Sequence, residues 1–353
     1  MPVRRTFSGE VDAARELVKQ DTRAYEKLSL SRRSAPLGGS VHDPESAESN
    51  GRERLRVLDA MGVYSALLFP SLGLFWPSTV EDPEVTDANF AAWNNWVVRQ
   101  AAAEPTRLLA VAQYSLSDVS RAVAEIRRCH AAGIRGFFLR AVPYRDLPWG
   151  DESNEAVWQE LESSGLPLFI HSGPLRVHPA WDKGLIPNHV GQPLQTFLNR
   201  SHPGEAALSD LIFAGVLERH PKLRIGIIEF GSIWFPSFIR RLDFAFGFLG
   251  PRNRYMRERL SMLPSDYLRR QVKVSCFWSE PIDWLIESAG PEFFMYSSDY
   301  PHPEGNQNAV ERALEATRLL PAEVAARFFS RNAQELLGID HQLDTTTDML
   351  RGS

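Results

Sequence analysis

Three runs of this chain place a titratable side chain at the end of an apolar stretch. PLFIHSGP carries His171, RIGIIEFGSIWFP carries Glu229, and MYSSDYPHPEG carries Asp299, followed by Pro301, His302 and Pro303. A carboxylate pinned at a strand end by a rigid proline turn is placed to hold a metal or take a proton; it can equally cap the turn that follows. A strand-end histidine such as His171 is either a ligand or a satisfied structural residue. A glutamate ending a buried strand is costly unless paired or bound, so Glu229 is either a site residue or half of an ion pair. Arg140 closes the run GIRGFFLR with a forked guanidinium suited to gripping a substrate carboxylate. Trp234, with Phe277 and Trp278, offers either an apolar pocket wall or core packing.

These residues need elements to carry them. Short β-rich apolar runs at 64–70, 108–114, 134–140, 167–171, 224–229, 272–277 and 293–297 read as strands. Between them, 87–103, 117–132, 154–163, 205–219, 235–246 and 309–320 repeat apolar residues every three or four positions, as one-sided helices do. Gly133, Gly165 and Gly338 fall just past helices, where a left-handed residue is wanted. The alternation predicts an α/β fold with a buried parallel sheet, which gathers Arg140, His171, Glu229 and Asp299 at the carboxyl ends of its strands. Residues 175–204 form the longest stretch without a strand, an insertion placed to lid that mouth. Residues 1–51 are polar with one helical pattern, 11–28, and 341–353 read as a flexible tail.

Composition narrows the partners. Of 353 residues 43% are hydrophobic, enough for a large core, and 39 basic against 44 acidic side chains leave a net charge of -5. That balance does not suit a phosphate-tracking surface, so no nucleic-acid partner is expected. Cys129 and Cys276 are too few for a disulfide framework or a thiolate cluster. No stretch approaches the ~18–20 apolar residues of a membrane span, and the charged N-terminal region lacks a signal core. A cytoplasmic protein with no membrane association is expected.

Together, FIHSG, then EFGSIWFPSFIRRLD, then SDYPHPEG, and the closing FSRNAQELLGI resemble the amidohydrolase superfamily. The similarity is to its amidohydrolase-related branch, which includes the aminocarboxymuconate semialdehyde and resorcylate decarboxylases, and it covers about residues 52–340. The resemblance implies a (β/α)8 TIM barrel of the metal-dependent hydrolase type over 52–340. It implies His171 as a metal ligand from the fifth strand, and Asp299 as ligand or proton-transfer carboxylate from the eighth. His302 would support Asp299 from behind. Glu229 takes the sixth-strand position that is a histidine in the decarboxylases. The implied cofactor is a divalent metal ion, zinc first, and the implied reaction is metal-assisted decarboxylation or hydrolysis of a small carboxylated, cyclic substrate by a homodimer.

One departure is serious. The family's first strand carries a DxHxH-like signature with two metal ligands, whereas this sequence has no HxH and His42 is its only histidine before residue 130. The seven strands read above therefore start at the family's second, and the barrel is expected to be incomplete at the first strand. A central strand buries about four apolar side chains at ~1.5–3 kcal/mol each, comparable with a domain's whole net stability of ~5–15 kcal/mol. A truncated reading frame or a deleted strand is expected, giving an aggregation-prone or weakly metal-binding product. The alternative is a non-catalytic binding or partner protein that kept the barrel and lost its metal.

Overall fold

The computed structural model describes residues 47, 50–70, 82–173, 198–302, 305 and 308–339. The predicted helix at 11–28, His42, the tail 341–353 and most of the insertion at 175–204 lie outside the described residues.

All seven predicted strands form. They are β1 (Ala66–Leu68), β2 (Leu108–Gln113), β3 (Gly136–Arg140), β4 (Leu168–His171), β5 (Ile225–Ile228), β6 (Val272–Cys276) and β7 (Phe294–Tyr296). They make one sheet in sequence order, every neighbouring pair parallel. The strands β2, β3, β4 and β6 are buried along their whole length, as in parallel sheets covered on both faces. The sheet is curled: Val111 of β2, Phe138 of β3, Phe169 of β4 and Met295 of β7 share one apolar cluster, which a flat sheet would hold far apart. Among the described residues no ladder joins β7 back to β1.

The helices start and stop where the local chemistry dictates. Asn50, Asp82 and Asp118 cap Gly51–Ala60, Pro83–Ala101 and Val119–Ala131 by accepting from backbone N–H groups of the first turn. Gly165 and Gly338 end their helices in left-handed conformation, at φ 66° and 67°, as the sequence suggested. The single helix predicted over 205–219 is two, His202–Phe213 and Val216–Arg219, because Gly215 turns to φ 75° between them. Helices Arg254–Arg259, Pro264–Gln271, Ile282–Ala289, Ala322–Ala326 and Asn332–Leu337 complete the outer layer and the base.

The amino ends of the strands are closed by Asn332–Leu337. Leu336 packs into the inner apolar cluster, and its carbonyl accepts from Arg224 Nε (2.7 Å) at the start of β5. Asn332 Nδ2 donates to the carbonyls of Pro291 (2.7 Å) and Phe294 (2.8 Å), while Lys273 of β6 reaches Glu335 at 2.8 Å.

Both cysteines are buried and unpaired. Burial, reinforced by Glu125, pushes the Cys129 thiol up to about 12, and burial raises Cys276 further. Neither is expected to react with an aromatic disulfide reagent at about pH 8 until the protein unfolds, because the thiolate is the nucleophile. Stoichiometric labelling of the native protein within seconds would contradict this placement. No described helix is long and apolar enough to cross a membrane.

Candidate functional site

At the carboxyl ends of the strands the inner face turns from apolar to polar. The alternation that points Phe138 and Phe169 inward also points Arg140 and His171 inward, two residues further on, and the two are register partners. The His171 ring rests on Phe138 (5.7 Å between centroids) and Phe69 (5.3 Å). Its Nδ1 lies 2.8 Å from the Ser172 carbonyl oxygen, which fixes the proton there and leaves the Nε2 lone pair facing the site. Burial holds this imidazole below its usual range, against the pull of the Glu229 carboxylate.

Strand β5 ends at Ile228, one residue short of the predicted end, because Glu229 turns to φ 63°. Asp299 likewise has φ 54°, three residues past the end of β7. Left-handed backbone is uncommon outside glycine and costs roughly 1–2 kcal/mol, less for Asp than for Glu. Both carboxylates carry it, and each turn throws its side chain back toward the mouth. Glu229 Oε2 lies 3.4 Å from His171 Nε2, and Oε1 lies 3.9 Å from Arg200 Nη1. Asp299 Oδ1 lies 3.1 Å from His302 Nδ1 across a turn in which His302 N–H donates to the Asp299 carbonyl at 2.9 Å. The Tyr300–Pro301 peptide in that turn is cis. Gly305 closes over it, where a Cβ would come within 2.7 Å of the Asp299 carbonyl oxygen. Donor atoms of Glu229, Asp299 and His302 all fall within 4.8 Å of one another.

The structure thus brings Glu229, Asp299 and His302 into one cluster and sets His171 against Glu229. Arg140 lies buried beside His171, tucked under Gly173, where a Cβ would meet its Nε at 2.5 Å. Trp234 is placed differently from these: its ring packs on Phe235 (5.4 Å) and Phe238 (5.3 Å), and its indole N–H donates to the Gly231 carbonyl. It belongs to the helix layer behind the Glu229 loop.

Sequence reasoning did not find Glu280, which holds that loop. Its carboxylate accepts from Ser232 N (2.7 Å), Ser232 Oγ (2.8 Å), Ile233 N (3.1 Å) and Phe277 N (2.7 Å), tying the turn after Glu229 to the end of β6. Nor did it find Arg200, whose guanidinium also lies over the Phe277 ring (5.8 Å). Gln113, at the end of β2, was overlooked although it obeys the same strand-end rule as His171.

The donor set fits a divalent cation. A neutral Nε2 lone pair and a carboxylate oxygen face each other at 3.4 Å with a second carboxylate and imidazole alongside, an arrangement of mutually repelling acceptors that a cation would resolve.

A curled parallel sheet with a histidine–carboxylate cluster at its carboxyl ends is the architecture of the metal-dependent, TIM-barrel-like hydrolases and lyases. The family model for amidohydrolases matches residues 39–339, and the chain belongs to that family. An amidohydrolase from Mycobacterium avium subsp. paratuberculosis superposes with a TM-score of 0.72 at 25% identity, over 83% of this chain and 75% of that one. The 5-carboxyvanillate decarboxylase of Sphingomonas paucimobilis gives 0.65 at 24% identity, over 82% and 83% of the two chains. The same enzyme from Novosphingobium aromaticivorans, complexed with manganese and 4-hydroxy-3-methoxy-5-nitrobenzoic acid, gives 0.66 at 21%, over 81% and 79%. These folds are consistent with the decarboxylase-containing branch that the motifs resemble.

Proposed function

We propose that this chain is a divalent-metal-dependent enzyme that decarboxylates or hydrolyses a small carboxylated, cyclic substrate, on a TIM barrel incomplete at its first strand. The observation that carries this reading is the convergence of Glu229, Asp299 and His302 within 4.8 Å, with His171 Nε2 3.4 Å from Glu229. His171 and Asp299 would hold the ion, with Glu229 in reach as a further ligand. When bound, the ion supplies positive charge that polarises a substrate oxygen or acidifies a water. Asp299 holds and returns the proton at its carboxylate, and His302 orients it. Glu229 is the second proton carrier. Arg140 anchors the substrate carboxylate, an assignment supported by its place beside His171 on the inner face. Trp234 backs the wall of the site. The family resemblance implies zinc first; the manganese in a structural neighbour makes that ion the other one to test.

The enzyme is proposed to act in the cytoplasm, in keeping with two unpaired cysteines, and as a homodimer. Support for a dimer comes from Phe244 and Phe248, stacked on adjacent helical turns and 73% and 57% exposed.

The test is a calorimetric titration of chelator-treated protein with Mn2+ and with Zn2+. One equivalent per chain is expected, with a raised melting temperature, since an ion that binds only the folded state stabilises it. Absence of uptake at millimolar metal would overturn the enzyme reading in favour of a non-catalytic barrel.

A further inference from the structure

Glu229 holds a left-handed backbone, φ 63°, which a glutamate keeps only where its surroundings over-determine it. The constraint comes from β6 and the turn that follows. The Glu229 N–H donates to Ser275 Oγ of β6 at 3.2 Å. Two residues on, Gly231 turns to φ 69°, and its carbonyl accepts from the Trp234 indole N–H at 2.8 Å. A Cβ at Gly231 would come 3.2 Å from Glu280 Oε1, so the loop lies directly on that carboxylate.

Glu280 then binds both sides of the junction. Its Oε1 accepts from the N–H groups of Ser232 (2.7 Å) and Ile233 (3.1 Å), just ahead of helix Phe235–Leu249. Its Oε2 accepts from Ser232 Oγ (2.8 Å) and from the Phe277 N–H (2.7 Å) one residue past β6. The Glu280 N–H donates back to the Phe277 carbonyl at 3.1 Å, closing the turn that carries it. Three of the four donors are N–H groups, which cannot reverse their role as a hydroxyl can. Only a side chain that accepts at both ends satisfies them all, and a carboxylate does so with charge-assisted bonds.

We propose that Glu280 is a positioning residue for Glu229: it clamps the loop leaving β5 to the end of β6 and thereby sets Glu229 Oε2 at 3.4 Å from His171 Nε2. This rests on the metal-site reading above and adds the group that builds the site from outside it.

The test is calorimetric titration of the full, chelator-treated chain with Mn2+, for the wild type, Glu280→Gln, Glu229→Gln and Glu335→Gln. In Glu280→Gln the amide can keep the two bonds at Oε1, but its NH2 group faces the Phe277 N–H, donor against donor. A loss of Mn2+ affinity of about tenfold is expected, the worth of one hydrogen bond. Glu229→Gln is expected to lose at least as much, because removing a ligand cannot matter less than misplacing it. Glu335→Gln is the structural control: it weakens the ties to Lys273 (2.8 Å) and Arg327 (3.0 Å) at the other end of the strands, and is expected to melt lower with Mn2+ affinity unchanged. Unchanged affinity in Glu280→Gln would overturn the proposal, as would a loss exceeding that of Glu229→Gln or an equal loss in Glu335→Gln. Should Glu280→Gln fail to fold, Ser232→Ala removes only the hydroxyl donor and is expected to weaken Mn2+ about threefold, with no change overturning the proposal. Wild type that takes up no Mn2+ would overturn the metal-site reading itself, and this proposal with it.

Discussion

Asp299→Asn is expected to lower turnover by a factor on the order of 10²–10⁴, the usual worth of a positioned proton-transfer group, and to weaken metal uptake in the same preparation. The substitution is unusually clean here. Asparagine tolerates the left-handed backbone at φ 54° as well as aspartate does, so the turn should persist. Its amide oxygen can still accept from His302, which now lies 3.1 Å from Oδ1. Only the charge and the proton affinity are removed. The checks are metal titration, release of carbon dioxide from a carboxylate that the wild type turns over, and the melting temperature. An unchanged melt with lost metal and lost turnover is the expected pattern. Unchanged activity and metal affinity would leave Asp299 as the turn cap that its sequence position equally allows.

The second large effect concerns the floor of the site. Phe169 is fully buried, and its ring packs edge-on against Phe69 at 5.2 Å, beneath the His171 layer. The flanking strands carry glycines beside it: a Cβ at Gly136 would meet the ring at 2.3 Å and one at Gly226 at 2.7 Å. Phe169→Ala is expected to cost about 3–5 kcal/mol, and Gly136→Ala about 1–3 kcal/mol through overpacking. Because the two share one space, Phe169→Leu combined with Gly136→Ala should cost less than the sum of the single changes. Denaturant unfolding of the four proteins measures this. Strict additivity would mean that the glycines do not make room for the ring.

Much of this was legible in the sequence, and for a physical reason. A strand buried on both faces must be a short apolar run between turn signals, so β2 through β7 stood out, as did the titratable residues His171, Glu229 and Asp299 that break the apolar pattern at their ends. The places where strands actually stop were less legible: Glu229 lies outside β5 because of its backbone torsion, which composition does not encode. Pro264–Gln271 escaped notice because its short, charged sequence PSDYLRRQ buries a face only through tertiary packing. Glu280 escaped because its donors, three backbone N–H groups and one hydroxyl, lie 47 and 48 residues away or in its own loop. Trp234 was offered either a pocket wall or packing by its sequence position, and its neighbours Phe235 and Phe238, adjacent and one helical turn away, engage it in packing.

The stopper formed by Asn332–Leu337 has a consequence for how the protein comes off the ribosome. Every strand, through Tyr296, is synthesised before Leu336, the residue that seals the base of the inner cluster. At ~5–20 residues per second, the roughly forty residues between them take several seconds to emerge. During that interval the nascent sheet holds Val111, Phe169 and Met295 with their lower side open to water. A chaperone that recognises exposed apolar surface has its window there, and the closing helix, rather than any strand, is the segment whose arrival ends it.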